Sequence, residues 1–151
     1  MENYNLETFD KAILEGSAAW WEMELPSGQV IFSDSKTSML GYKYKDFKNY
    51  KDFTNIVHPD DHDKIMQDMR DHLDGKKELY ETKYRIKNKD GEYLTFYDIG
   101  QIISKTENNI KLIGFVWKIE ENTDINNEMK EFRNLILKGN PSLIDLFKKF
   151  K

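Results

Sequence analysis

Residues 79–119, LYETKYRIKNKDGEYLTFYDIGQIISKTENNIKLIGFVWKI, hold three strand-like runs separated by two turns. In the first, Leu79–Ile86, Tyr80, Thr82, Tyr84 and Ile86 alternate with Glu81, Lys83 and Arg85. That is the period of a half-buried strand. Asp90-Gly91 is a two-residue hairpin signal, because both central positions of such a turn need φ > 0. Tyr93–Ile103 continues as a second strand, Glu107-Asn108-Asn109 turns the chain, and Ile110–Ile119 is a third. Three strands joined by short turns predict an antiparallel meander.

Upstream, His58-Pro59-Asp60-Asp61 opens a helix. Proline suits the first helical position, and acids there face the positive end of the helix dipole. Ile65, Met66, Met69 and Leu73 give it an apolar stripe, and Asp74-Gly75 closes it. Residues 33–57 carry only short helical or turn signals, with Gly41 as a stop. Before them, Trp21, Met23 and Leu25 alternate with Glu22 and Glu24. Pro26-Ser27-Gly28 then turns into Gln29–Phe32, so the first two strands form a hairpin. Two strands, several helices and three strands predict an α+β domain: one five-stranded antiparallel sheet with helices on one face.

Both ends return to helix. Leu6, Phe9 and Ile13 lie at helical spacing after a capping Asn5, and Gly16 ends the run. Ile125, Met129, Phe132 and Ile136 follow a 4-3-4 spacing, a short coiled-coil-like seam. Gly139-Asn140-Pro141 breaks it, and Pro141–Phe150 is one more amphipathic helix. The expected organisation is a flanking helix at 1–15, a domain at 16–121 and a helical extension at 122–151.

Composition narrows the function. The chain has 151 residues, enough for one domain with its own core. With Lys+Arg 23 against Asp+Glu 27, it lacks the basic excess of a nucleic-acid binder. No apolar run approaches the roughly 18 residues of a membrane span, and no signal-peptide pattern opens the chain. A cytoplasmic protein with no membrane insertion is the expectation. Zero cysteines exclude disulfides, Cys-ligated zinc and thiol nucleophiles. Nucleophile elbow, HExxH and Walker loop are all absent from the sequence, so no catalytic residue is assigned.

Taken together, these motifs resemble a PAS domain of the subclass whose pattern begins with a Trp-Glu-Trp-Asp-Leu-like strand. Here that strand is Trp21-Glu22-Met23-Glu24-Leu25, followed by Ser27-Gly28. Ser33-Asp34, Leu40-Gly41-Tyr42, Val57-His58-Pro59-Asp60-Asp61, Tyr84-Arg85-Ile86, Lys89-Asp90-Gly91, Gly100 and Gly114 match further elements in order. The match covers about residues 16–121. Two positions depart from the pattern. Lys118-Ile119-Glu120 stands where the family usually ends its last strand with Asp-Ile-Thr. Thr95 stands where Trp is common, and its smaller side chain is expected to open the cavity between sheet and helices.

The resemblance implies a sensory module with a small-molecule cavity under its long helix. Met23, Met66, Met69, Tyr84, Tyr97, Phe115 and Trp117 are the candidate lining. Met and aromatic side chains adapt to apolar ligands, and Tyr adds a hydrogen-bonding group. The same residues would equally make an ordinary filled core. A small apolar or amphipathic ligand is therefore expected if the cavity is open. Haem-binding members take their iron ligand from the long helix, which raises His72, near the helix end where a solvated His is expected. His58 and His62 stand four apart, but His58 precedes the helix, so the pair lacks helical geometry and no metal is assigned. Covalent flavin chemistry is excluded by the absence of Cys.

In the family, a helix after the last strand relays change to outputs such as histidine kinases, as in two-component systems. Ile125, Met129, Phe132 and Ile136 are the candidate relay and dimer seam. Their apolar face needs cover, either on the sheet's outer face or against a second copy. A homodimer through the flanking helices is the expectation, with a signalling output domain as partner. The alternative function is a ligand-free dimerisation module.

Overall fold

The computed structural model of the chain describes residues 4–151. Its strands are β1 (Ala18–Leu25), β2 (Val30–Phe32), β3 (Tyr80–Lys87), β4 (Tyr93–Lys105) and β5 (Ile110–Ile119). They form one antiparallel sheet in the order β2-β1-β5-β4-β3. The meander runs β3-β4-β5, and β5 then pairs with β1 in the middle of the sheet. A hairpin at each end thus meets along one long central ladder.

The helices are α1 (Leu6–Leu14), α2 (Ser35–Ser38), α3 (Tyr50–Thr54), α4 (Pro59–Leu73), α5 (Ile125–Glu128), α6 (Lys130–Lys138) and α7 (Leu143–Phe150). The expected seam is therefore two helices, broken at Met129. Three of the longer helices, α1, α4 and α7, start on a side-chain cap. Asn5 caps α1 by accepting from the Thr8 N–H. His58 caps α4 through Nδ1, with Pro59 in the first turn. Ser142 and Asp145 form a reciprocal capping box on α7.

Register decides which side chains share a face. Antiparallel partners point the same way, and neighbours along a strand point oppositely. Trp21 pairs with Gly114, Gly114 with Gly100, and Gly100 with Tyr80. These residues lie on the inner face, which α2, α3 and α4 cover. Ala18 pairs with Trp117 and Trp117 with Tyr97, on the outer face. That face is not left to water. Phe9 of α1, Met129, Phe132 and Ile136, and Leu143 and Phe147 of α7 all bury there against Ile99, Phe115 and Trp117. The sheet therefore separates two apolar cores, and Met129, Phe132 and Ile136 of the expected seam are buried on the chain's own sheet, with Ile125 partly buried beside them.

Across the centre of the inner face lies the Trp21 indole. A Cβ on Gly100 would fall 2.6 Å from indole Cζ2, and one on Gly114 would fall closer still. Two paired glycines thus form a flat bed that admits a ring where any side chain would collide.

The helix α4 is tied down at both ends. Asp61 accepts from the Arg85 backbone N–H at 2.8 Å and from its guanidinium at 2.9 and 2.8 Å. The guanidinium's hydrogen bonds hold the Asp61 carboxyl below the usual carboxylate range. At the other end His72 is buried, not solvated. Its Nε2 accepts from the Ile102 N–H at 3.0 Å, while Nδ1 lies 2.9 Å from the Lys77 carbonyl. Only a ring protonated on Nδ1 alone satisfies both partners.

Gly114→Ala is expected to destabilise the fold by about 2–3 kcal/mol, as an overpacked core does, with a shift in the Trp21 fluorescence. Urea unfolding within 0.5 kcal/mol of wild type would refute the glycine bed. Asp61→Asn is expected to lose about 1 kcal/mol at pH 7, a modest value because the pair borders water. The lowered carboxylate contributes stability above its unfolded pKa of about 3.9 and loses it as pH falls through the lower folded value. The two proteins should therefore converge in strong acid, as measured by thermal melts across pH.

Candidate functional site

Between the inner face of the sheet and α3 and α4 lies a cavity of about 200 Å³. An apolar space of about 150 Å³ already accepts a benzene-sized molecule. Most of the wall is apolar: Met23 and Leu25 from β1, Val30 from β2, Phe53 from α3, Ile65, Met66, Met69 and Leu73 from α4, and Ile86 from β3. The polar groups are few. Lys36, Tyr80, Tyr84 and Asp98 also line the space, and Arg70 stands exposed at its rim.

Asp98 sits on β4 at an inner-face position and is buried. One carboxylate oxygen accepts from the Trp21 indole N–H at 2.7 Å, and the other from the Tyr84 hydroxyl at 2.9 Å. Burial pushes its pKa up to about 6, against the opposing pull of Lys36 and the two hydrogen bonds. The same burial, with Asp98 nearby, holds the hydroxyls of Tyr80 and Tyr84 well above the usual tyrosine range.

Lys36 is the anomaly. It is 8% exposed, on the short helix α2. Its ammonium stands 3.9 Å from the centre of the Phe53 ring and 5.9 Å from that of Trp21. Among the described residues the ammonium makes no hydrogen bond, and no carboxylate lies within the 4.0 Å of an ion pair. Burial lowers its pKa to about 8, although the charge of Asp98 opposes the shift. Cation–π contact with Phe53 is partial compensation.

Of the residues singled out from sequence, Met23, Met66, Met69 and Tyr84 line this cavity. Tyr97, Phe115 and Trp117 do not; they belong to the outer core. The physical reason is strand parity. Phe96 is the β4 residue that shares a face with Tyr84, so its neighbour Tyr97 points the other way. Thr95 has the same parity as Tyr97 and pairs with Ile119. Its small side chain therefore does not open the cavity. The polar contacts at the end of β5 come instead from Lys83, which donates to the carbonyls of Glu121 and Thr123 at 2.7 and 3.0 Å.

Two of the histidines are already engaged in holding the fold. His58 spends Nδ1 on the Asp60 N–H as a helix cap. His72 spends both nitrogens, so iron ligation would break one end of the α4 anchor. Among the described residues, His, Asp and Glu side chains form no cluster suited to a metal.

Sequence reasoning did not single out Lys36, Asp98 or Tyr80. Asp98 carried a signal: it is an acid in phase with Phe96 and Gly100, on the face that must be buried. Lys36 carried none, because a four-residue helix shows no periodicity from which to infer an inward face.

The two shifted groups give a definite pH dependence. Asp98 titrates at about 6 when folded and at about 3.9 when unfolded, so its contribution falls as pH rises through that window. Lys36 titrates at about 8 when folded and at about 10.4 when unfolded, so its contribution rises with pH through that window. Between pH 6 and 8 both charges are buried and the penalty is greatest. Lys36→Met is expected to stabilise the protein at pH 7 by about 1–3 kcal/mol, since it removes a buried charge. Loss of stability in urea melts would show that the ammonium has a stabilising partner.

Comparison with known proteins places this geometry. The family model described as PAS fold matches residues 29–116. A sensory box histidine kinase/response regulator structure from Burkholderia thailandensis E264 superposes with a TM-score of 0.62 at 18% identity, over 86% of this chain and 98% of that one. The N-terminal domain of a diguanylate cyclase with PAS/PAC sensor from Marinobacter aquaeolei gives 0.60 at 20% identity, over 67% and 94%. A domain of a putative light and redox sensing histidine kinase from Haloarcula marismortui gives 0.60 at 19% identity, over 74% and 98%. No curated protein matches the chain significantly. The match spans more than half of the sequence, with the ordered motifs and the sheet order in agreement: the chain belongs to the PAS fold family.

Proposed function

We propose that the chain is a sensory module. A small molecule occupies the cavity, and the change is relayed through the sheet to the C-terminal helices and on to a signalling output such as a histidine kinase. The observation that carries this reading is the sharing of two strands by two cores. On β4, Asp98 faces the cavity while its neighbour Tyr97 packs outward on Trp117, with ring centres 4.7 Å apart. Trp117 in turn meets Phe132 of α6 at 5.4 Å. A shift of β4 or β5 under the ligand therefore moves the surface on which α6 rests. The structural relatives come from signalling proteins, including two histidine kinases and a diguanylate cyclase.

The docking of the C-terminal helices has the features of a contact that can change state. Its polar ties are at its margins: Lys83 holds the carbonyls of Glu121 and Thr123, and Lys149 and Lys151 pair with Asp10 and Glu22. Arg133 donates to both carboxylate oxygens of Glu81 at 2.8 Å, and the Tyr97 hydroxyl donates to the same carboxylate. Inside the apolar part, the Trp117 indole N–H finds no acceptor among the described residues, and such a buried orphan weakens the packed state by about 1–3 kcal/mol. Once undocked, Met129, Phe132 and Ile136 would present an apolar stripe to a second copy or to an output helix. On this reading residues 16–121 are the sensor, and residues 1–15 and 122–151 are its detachable cover. Ligand binding drives the change only to the extent that the two states differ in affinity. Sensing fits better than catalysis, because the cavity's one carboxylate already holds a donor on each oxygen.

Titration with 2-phenylethanol, an uncharged probe of suitable size, tests the relay. Methyl signals of Met66 and Met69 should shift on binding, and amide exchange in residues 125–138 should change several-fold. Arg133→Ala should raise the same exchange without any probe. Cavity signals that shift while exchange at 125–138 stays constant would overturn the relay.

A further inference from the structure

The polar groups of the cavity are unbalanced in a way that specifies a ligand. Asp98 is spent on Trp21 and Tyr84. The Lys36 ammonium has three N–H groups and no hydrogen-bonding partner among the described residues. The Tyr80 side chain is also buried and lines the same space, and its hydroxyl makes no hydrogen bond among the described residues. Lys36 and Tyr80 therefore keep donors unspent on an otherwise apolar wall, and one of them carries a full positive charge. A buried charge left without a partner is strongly unfavourable. The group that would satisfy this wall is an acceptor, and an anionic one.

We infer that the cavity takes a small monocarboxylate with an apolar body, its acid group paired with Lys36 and its body lying against Phe53, Ile65, Met66 and Met69. The inference rests on the reading of the cavity as a ligand site. The size follows from the space of about 200 Å³, which suits a single ring or a short chain. A single negative charge follows from a single interior ammonium. A dianion such as a phosphate monoester would bring a second charge toward Asp98, with only the exposed Arg70 at the rim to offset it. Tyr80 supplies a neutral donor on the wall. The body meets two methionines, whose flexible thioethers adapt to irregular apolar shapes.

The test compares phenylacetate with 2-phenylethanol, which share a body and differ in charge, against wild type and Lys36→Met at pH 7. Calorimetry gives the affinities, and the Met66 and Met69 methyl signals place both probes in the cavity. Phenylacetate should bind wild type at least about tenfold tighter than the alcohol, as a charged hydrogen bond predicts. Lys36→Met should abolish that preference while keeping alcohol binding, which also reports that the variant is folded. Tyr80→Phe should weaken phenylacetate by a smaller factor. Alcohol binding without a carboxylate preference, or a preference that survives Lys36→Met, would overturn the anion specificity and leave the cavity reading standing. Failure of both probes to bind wild type would overturn both.

Discussion

The hydrogen bond from the Trp21 indole to Asp98, laid across a bed of two glycines, is the constraint on which the inner half of the molecule depends. Gly114 and Gly100 are paired neighbours, and the ring of Trp21 crosses both. That crossing carries the indole N–H from β1 over β5 to a carboxylate on β4. One side chain thus spans the three central strands and fixes their relative position from the inner side. It also fills the space beside Tyr80, which it meets edge-on. The cavity is what remains of the inner face beyond this ring, under α3 and α4.

A carboxylate so placed has consequences for its neighbours. Asp98 is buried, so its charge needs donors, and Trp21 and Tyr84 supply one to each oxygen. Lys36 reduces the penalty through its field without touching the carboxylate. The arrangement resembles a buried ion pair pulled apart. A contact pair would be closed and would offer nothing to a third party. Held apart, the ammonium keeps its hydrogen-bonding capacity and the folded state carries an electrostatic strain that an anion would relieve. On the proposed reading, lower stability and greater ligand readiness have one cause.

The outer half follows a different physics. Phe9, Phe115, Trp117, Phe132 and Phe150 form an aromatic cluster in which most neighbouring rings meet at steep angles. Apolar packing of this kind is strong but weakly directional, and among the described residues the side-chain polar restraints on α6 are those of Arg133 to Glu81 and to the Ile125 carbonyl. A sheet with a cavity on one side and a lightly pinned helical cover on the other is mechanically suited to coupling the two.

What could be read from the chain alone was whatever is local. Alternation over 79–119 determined three strands and their meander; Asp90-Gly91 determined a turn; Pro59 with its acids determined the start of α4. The ordered set of these signals was enough for the family and the five-stranded sheet. Face was harder. Tyr97, Phe115 and Trp117 have the composition of a cavity wall, but alternation shows only that two faces exist. Both faces of this sheet are buried, so polarity could not tell inner from outer; register against Tyr84 and Ala18 decided it. The burial of His72 was hidden because its partners, Ile102 and Lys77, come from β4 and the loop after α4. The solitary ammonium of Lys36 was hidden for the same reason. Whether a lysine has a partner depends on what residues distant in sequence bring near it, and only the packed tertiary structure sets those distances.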